Sequence, residues 1–251
     1  TQYVDQRVPI DAVRCKILYP KVVVLDAGHG KNEVGEYTGS TVQLSGHTLY
    51  EDVLASQVVS VAATALASGP EPRPTVILSR ETDDLEPLRE RADKALRYNA
   101  DLFVSIHFDK QGGSVNYTKS LMRTYYFQSR TTKKWQSFLP TAILTAVPTC
   151  IPQTRCLANQ LLNHVSDALN TDLGTQDDID AAVVRWNVRR AVLVEVEALD
   201  QDGAAIYMSP TPAAERIQAA GEAIARAIQT SLAILAPMPA ETPPPAGWYY
   251  S

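Results

Sequence analysis

An α/β fold, a mainly parallel twisted sheet flanked by helices on both faces, is predicted by three observations. Apolar runs of β type alternate with stretches whose apolar residues recur every three or four positions, the pattern of strand–helix units. The helical stretches are bounded by chemically sensible stops built from Gly and Pro. Two of the strand-like runs end in histidine, Val22 to Ala27 before His29 and Leu102 to Ile106 before His107. Histidines at the carboxyl ends of parallel strands share the sheet edge where open α/β sheets build their sites.

The first strand is expected at 21–27 and the first helix at 51–68, with Val53, Leu54, Val58, Val61, Ala62, Ala65 and Leu66 on one face and Gly69-Pro70 as its stop. A strand at 75–79 precedes a helix at 87–98 that opens on Pro87, and strands follow at 101–107 and 121–127. A helix at 155–170 and a strand at 191–197 lead to a last helix at 212–235, with Thr211 as N-cap and Pro212 in the first turn. Its stripe of Ile217, Ala220, Ile224, Ile228 and Leu232 is core packing. This divides the chain into a lead at 1–20, one domain at 21–236 with an inserted segment at 111–155, and a Pro-rich tail at 237–251 suited to extended polyproline structure.

Composition narrows the function classes. A net charge of −5 argues against a nucleic-acid partner, which needs clustered Lys and Arg. No apolar run approaches the roughly 20 residues of a membrane span. A start at Thr1 is expected of a processed protein exported to the periplasm or cell exterior, and a boundary of other origin has the same look. Cys150 and Cys156 stand close enough in sequence to bridge, with two free thiols as the alternative.

The chemistry-bearing residues point to one metal. His29 sits in the turn Asp26-Ala27-Gly28-His29-Gly30, His107 closes its strand, and Glu51 opens the helix that follows the turn-rich stretch 39–50. Two imidazoles and a carboxylate, with a water in the fourth position, make a hydrolytic zinc site. Such a site also needs a carboxylate that is not a ligand, to move protons. Glu195 and Glu197, two apart on the last strand, both qualify. His47 is a substitute ligand or a surface group, and His164 sits on a helix in a structural or solvent-facing place. Asp26 either orients His29 or a nearby backbone group, or is an ordinary turn former. Arg185, Arg189 and Arg190 either meet an anionic substrate group or form a solvated turn.

These residues carry a resemblance to the zinc-dependent N-acetylmuramoyl-L-alanine amidases of the cell wall, the type 3 amidases. A D-x-G-H-G turn, an early-helix Glu, an S-I-H strand end and a late L-V-E strand occur in the same order, and the likeness runs from about Lys21 to Leu235, taking in Leu78-Ser79-Arg80 and Arg91. The resemblance implies His29, Glu51 and His107 as zinc ligands and Glu195 as the catalytic base. It implies hydrolysis of the amide between N-acetylmuramic acid and L-alanine in peptidoglycan or muropeptide substrates, with room for an activator protein as partner. The alternative is an inactive wall-binding or regulatory module of the same fold. Three departures from the family pattern are Asp109 two positions after the second His, Glu197 two positions after the catalytic Glu, and the long segment from Gln111 to Arg155. That segment is expected to act as a lid or a substrate grip.

Overall fold

The computed structural model describes residues 21–109, 117–122, 126–128, 135–137, 147–170, 172–178, 190–199 and 205–234. The expected lead, the Pro-rich tail, Arg185 and Arg189 lie outside them. Strands β1 (Val22–Ala27), β4 (Thr75–Leu78), β5 (Leu102–Asp109) and β10 (Arg190–Ala198) form the parallel part of a six-stranded sheet of order β4-β1-β5-β10-β6-β9. Strand β6 (Tyr117–Met122) runs antiparallel to β10, and β9 (Asp172–Asp178) runs parallel to β6.

The central strands are nearly all apolar because both their faces are covered. On one face, helices α1 (Glu51–Ser68), α3 (Val147–Leu169) and α4 (Pro210–Ile234) pack over Val23, Leu25, Val104, Ile106, Val192 and Val194. On the other, α2 (Leu88–Arg97) contributes Ala95 to a smaller cluster with Val24, Phe103, Ala191 and Leu193. Residues one apart on a strand thus serve opposite cores, the period-2 alternation of a pleated sheet.

The chain leaves β1 for β4 on one side and returns to β5 on the other, so the carboxyl ends of β1 and β5 flank a reversal of strand order. A crevice opens at such a switch point. The amide of Gly28 bonds the Ile106 carbonyl at 2.8 Å, which holds the two strand ends together as they reach the His29 turn.

Several boundaries differ from the sequence expectation. The stretch before Glu51 is a hairpin, β2 (Thr41–Leu44) and β3 (His47–Tyr50), turned by Ser45 and Gly46, both with positive φ (51° and 80°). Two positive-φ residues match the twist of the strands they join. The expected strand at 121–127 is instead β6 in the main sheet plus β7 (Tyr126–Gln128), which pairs with β8 (Trp135–Ser137) in a separate ribbon. Strand β9 was not expected, since Asp172 to Asp178 is acidic and lacks apolar alternation. Helix α4 starts at Pro210, and Ser209 accepts the first intrahelical bond, from Ala213 at 2.9 Å, so the start lies two residues before Pro212. Helix α3 begins at Val147, eight residues before the expected start at 155. It contains both Cys150 and Cys156, which a helical rise of about 1.5 Å per residue separates by about 9 Å, too far for a bridge. Cys156 is a free thiol.

Candidate metal centre

The site is assembled by the ends of β1 and β5 and the first residue of α1. His29 follows β1 with φ of 59°, and Gly30 with φ of 142°, so the chain turns sharply and lifts the imidazole over the sheet edge. Glu51 enters from the hairpin, which delivers it directly to the helix start. His107 rises from β5. Nitrogen atoms of His29 and His107 and a carboxylate oxygen of Glu51 lie within 4.8 Å of one another. Glu51 Oε1 is 3.0 Å from His107 Nδ1 and 3.2 Å from His29 Nε2.

Two glycines form the cradle. A Cβ on Gly28 would stand 2.5 Å from the His107 ring, and one on Gly39, where φ is 89°, would stand 2.6 Å from the His29 ring and 2.9 Å from Glu51 Oε2. Any side chain at either position would displace the donors. Backbone amides hold the carboxylate: Ser40 N–H donates to Oε2 at 2.7 Å and Phe108 N–H to Oε1 at 3.2 Å. Burial pushes the Glu51 carboxyl up, but hydrogen bonding to His107 and His29 outweighs it and holds the group well below the usual carboxylate range. The Glu51 side chain is 4% exposed and that of His29 34%, so the cluster opens to solvent on the His29 side.

Below the rings lies a buried polar layer. Asp26 is fully buried and forms a two-point ion pair with Arg91, whose Nε and NH2 donate at 2.7 and 2.6 Å. The hydroxyls of Ser79 and Ser105 also donate to it, the latter at 2.5 Å. Among the described residues Asp26 makes no hydrogen bond to His29; it anchors the floor beneath His107, and its partner Arg91 also donates to the neighbouring Ala27 carbonyl at 3.1 Å. Arg80 staples the His29 turn by donating to the carbonyls of Ala27 and Thr82 at 3.1 and 2.9 Å and to Ser56 Oγ at 2.8 Å. The Leu78-Ser79-Arg80 and Arg91 pieces of the resemblance thus act as the frame of the site.

The two carboxylates of β10 separate cleanly. Glu195 is the register partner of His107 on β5, so the two side chains leave the same face of the sheet. Between Glu195 and Ala198 the strand carries one residue more than β5, a β-bulge that breaks the alternation. Glu197 is turned to α4, fully buried, where Tyr207 donates its hydroxyl at 2.7 Å and Arg216 donates through Nε at 2.9 Å and through NH2. Two glutamates that strand alternation alone would put on one face are thus set on different sides. Elsewhere, His47 is exposed on the hairpin and outside the cluster, His164 is half-buried on α3, and Arg190 is buried at the start of β10 rather than in a solvated turn.

A family model described as N-acetylmuramoyl-L-alanine amidase matches residues 23–230. The chain belongs to that family. It is thereby a peptidoglycan amidase. Solved structures agree in fold. The catalytic domain of CwlV from Bacillus (Paenibacillus) polymyxa var. colistinus has TM-score 0.64 and 24% identity, covering 86% of this chain and 99% of that one. Ami1 from Mycobacterium smegmatis has TM-score 0.63 and 20% identity, covering 86% and 98%. Cwp6 from Clostridium difficile has TM-score 0.63 and 23% identity over 86% of this chain, which spans 30% of the length of Cwp6. Comparison with curated proteins finds no match.

Ser105 is the residue that sequence reading passed over. The signal was present, a hydroxyl two positions before a strand-end histidine and hence on the same face.

Proposed function

We propose that the chain binds one zinc ion through His29, Glu51 and His107 and uses Glu195 as general base to hydrolyse the amide between N-acetylmuramic acid and L-alanine. The observation that carries this reading is the convergence of three donor atoms within 4.8 Å in a cradle that needs Gly28 and Gly39. Two His and one Glu with an open side is the donor set of catalytic zinc sites, in contrast to the closed sets of structural ones. Zinc supplies Lewis acidity there, polarising an amide carbonyl and lowering the pKa of water to about 7.

The chain's own groups do the rest. Glu51, held ionised between two imidazoles, brings the negative charge that a divalent cation needs. Glu195, one strand over from His107, accepts a proton from the attacking water and returns it to the departing L-alanine amine. Glu197 is spent on its ion pair and takes no part. Action in the periplasm or outside the cell, where peptidoglycan lies, belongs to the same proposal, and among the described residues no helix is long and apolar enough to cross a membrane. An activator protein is a further part of it: the CwlD amidase from Clostridioides difficile, at TM-score 0.54 and 18% identity, was solved in complex with the GerS lipoprotein.

The test is elemental analysis of the purified protein beside release of L-alanine peptides from a muramoyl-peptide. One zinc per chain and turnover that Glu195→Gln abolishes support the reading. A zinc-free protein that hydrolyses the amide at full rate overturns it.

A further inference from the structure

We infer that Ser105 is a positioning residue that fixes His107 with its proton on Nε2, leaving Nδ1 free for the metal. The inference rests on the reading of His107 as a ligand. It follows from counting protons along one line of contacts. The Ser105 hydroxyl lies 2.5 Å from Asp26 Oδ2, and His107 Nε2 lies 3.1 Å from the same Ser105 oxygen. A serine has one hydroxyl proton. Asp26 is a carboxylate in a two-point pair with the fully buried Arg91, so it accepts and cannot donate, and the serine proton points to Asp26.

Ser105 then offers His107 only lone pairs. The contact at Nε2 is a hydrogen bond when Nε2 carries a proton, and two facing lone pairs when it does not. The other ring nitrogen, Nδ1, is the one that faces Glu51 Oε1 at 3.0 Å. The line Arg91, Asp26, Ser105, His107 therefore sets both the ring's orientation and its tautomer from the protein interior. Imidazoles that bind metals take their tautomer from the partner of the other nitrogen, and loss of such a partner weakens metal binding by roughly 10–100-fold. Here the partner is a serine that relays a buried carboxylate, in place of the carboxylate itself. Ser79 provides an internal contrast, since its hydroxyl donates to Oδ1 of the same Asp26 without a contact to either ring.

The experiment uses the full chain labelled with ¹⁵N, with and without zinc. Long-range ¹H–¹⁵N correlation reads the His107 ring, assigned by comparison with His107→Gln, and a chelator competition gives the zinc Kd. Nε2 is expected to carry its proton in the zinc-loaded wild type, where the metal takes the place of the Nδ1 contact with Glu51. Ser105→Ala should weaken zinc binding by about 10–100-fold, Ser105→Thr should restore it to within a few-fold, and Ser79→Ala, which loses a hydroxyl on Asp26 but none on the ring, should weaken it less than Ser105→Ala does. Denaturant unfolding of each zinc-free variant shows which are folded. Should Ser105→Ala prove unfolded, the wild-type ring spectrum and the Ser105→Thr Kd decide. A bare Nε2 in the zinc-loaded wild type, or a folded Ser105→Ala that binds zinc as the wild type does, overturns the inference. A wild type with a protonated Nε2 that binds no zinc instead overturns the ligand reading and leaves the hydrogen-bond line standing.

Discussion

Glu195 stands level with His107 across the parallel β5–β10 pair, and the bulge that follows at once turns Glu197 away to Arg216. Adjacent strands lie about 4.8 Å apart, so the carboxylate projects beside an imidazole of the three-donor cluster without contributing to it. Glu195→Gln is expected to retain its zinc and lose roughly 100-fold or more in turnover, the scale of a lost general base. Metal content and steady-state rates on a muramoyl-peptide check both halves.

Glu197→Gln should have the opposite profile. It leaves the Arg216 cation short of its partner, which is expected to lower stability by roughly 2–3 kcal/mol, less than for a fully buried pair because Arg216 reaches water. Turnover per folded molecule should change little. Urea unfolding alongside kinetics separates the two effects, and a folded Glu197→Gln protein with a 100-fold slower reaction would contradict the assignment of roles.

Removal of either imidazole should empty the site. His29→Ala and His107→Ala leave two donors, too few for a stable tetrahedral centre, so zinc retained after dialysis should fall to a small fraction of one per chain. Full occupancy in either variant would show that the ligands lie elsewhere.

Gly28→Ala tests the cradle without touching a donor. Its Cβ would meet the His107 ring at 2.5 Å, so the ring must move while the rest of the sheet stays intact. Zinc affinity is expected to drop at least as far as for Ser105→Ala. The far-ultraviolet circular dichroism spectrum should be that of the wild type.

The buried pair beneath the site predicts a pH dependence. Burial raises the Asp26 carboxyl, but the Arg91 guanidinium and the hydroxyls of Ser105 and Ser79 bring it below the ordinary range. A lowered folded pKa means that the pair stabilises fully above the unfolded value of about 3.9 and less as the pH falls through and below it. Asp26→Asn should therefore cost about 3–5 kcal/mol at pH 7. The gap to the wild type should narrow as the pH is taken down through about 4. Unfolding midpoints at several pH values measure this, and a gap independent of pH would mean that Asp26 is not ionised in the folded state.

The sequence by itself determined the layers and the cast of the site. Apolar runs such as Val22 to Leu25 are too water-averse to stand anywhere but between two helical layers, and glycines around His29 leave the chain free to turn where an imidazole is presented. The convergence of His29, Glu51 and His107 was legible because strand and helix ends are marked locally, by Gly, Pro and changes of period. The partners across the fold carry no such mark. Only the tertiary structure paired Asp26 with Arg91, 65 residues on, and passed its charge through Ser105 to His107. It alone placed the acidic β9 as an edge strand held by main-chain bonds, for which no side-chain pattern is needed. It also set apart two glutamates that the sequence presents alike, because a bulge is a property of how two strands register, and one extra residue sends neighbouring side chains to different sides of the sheet.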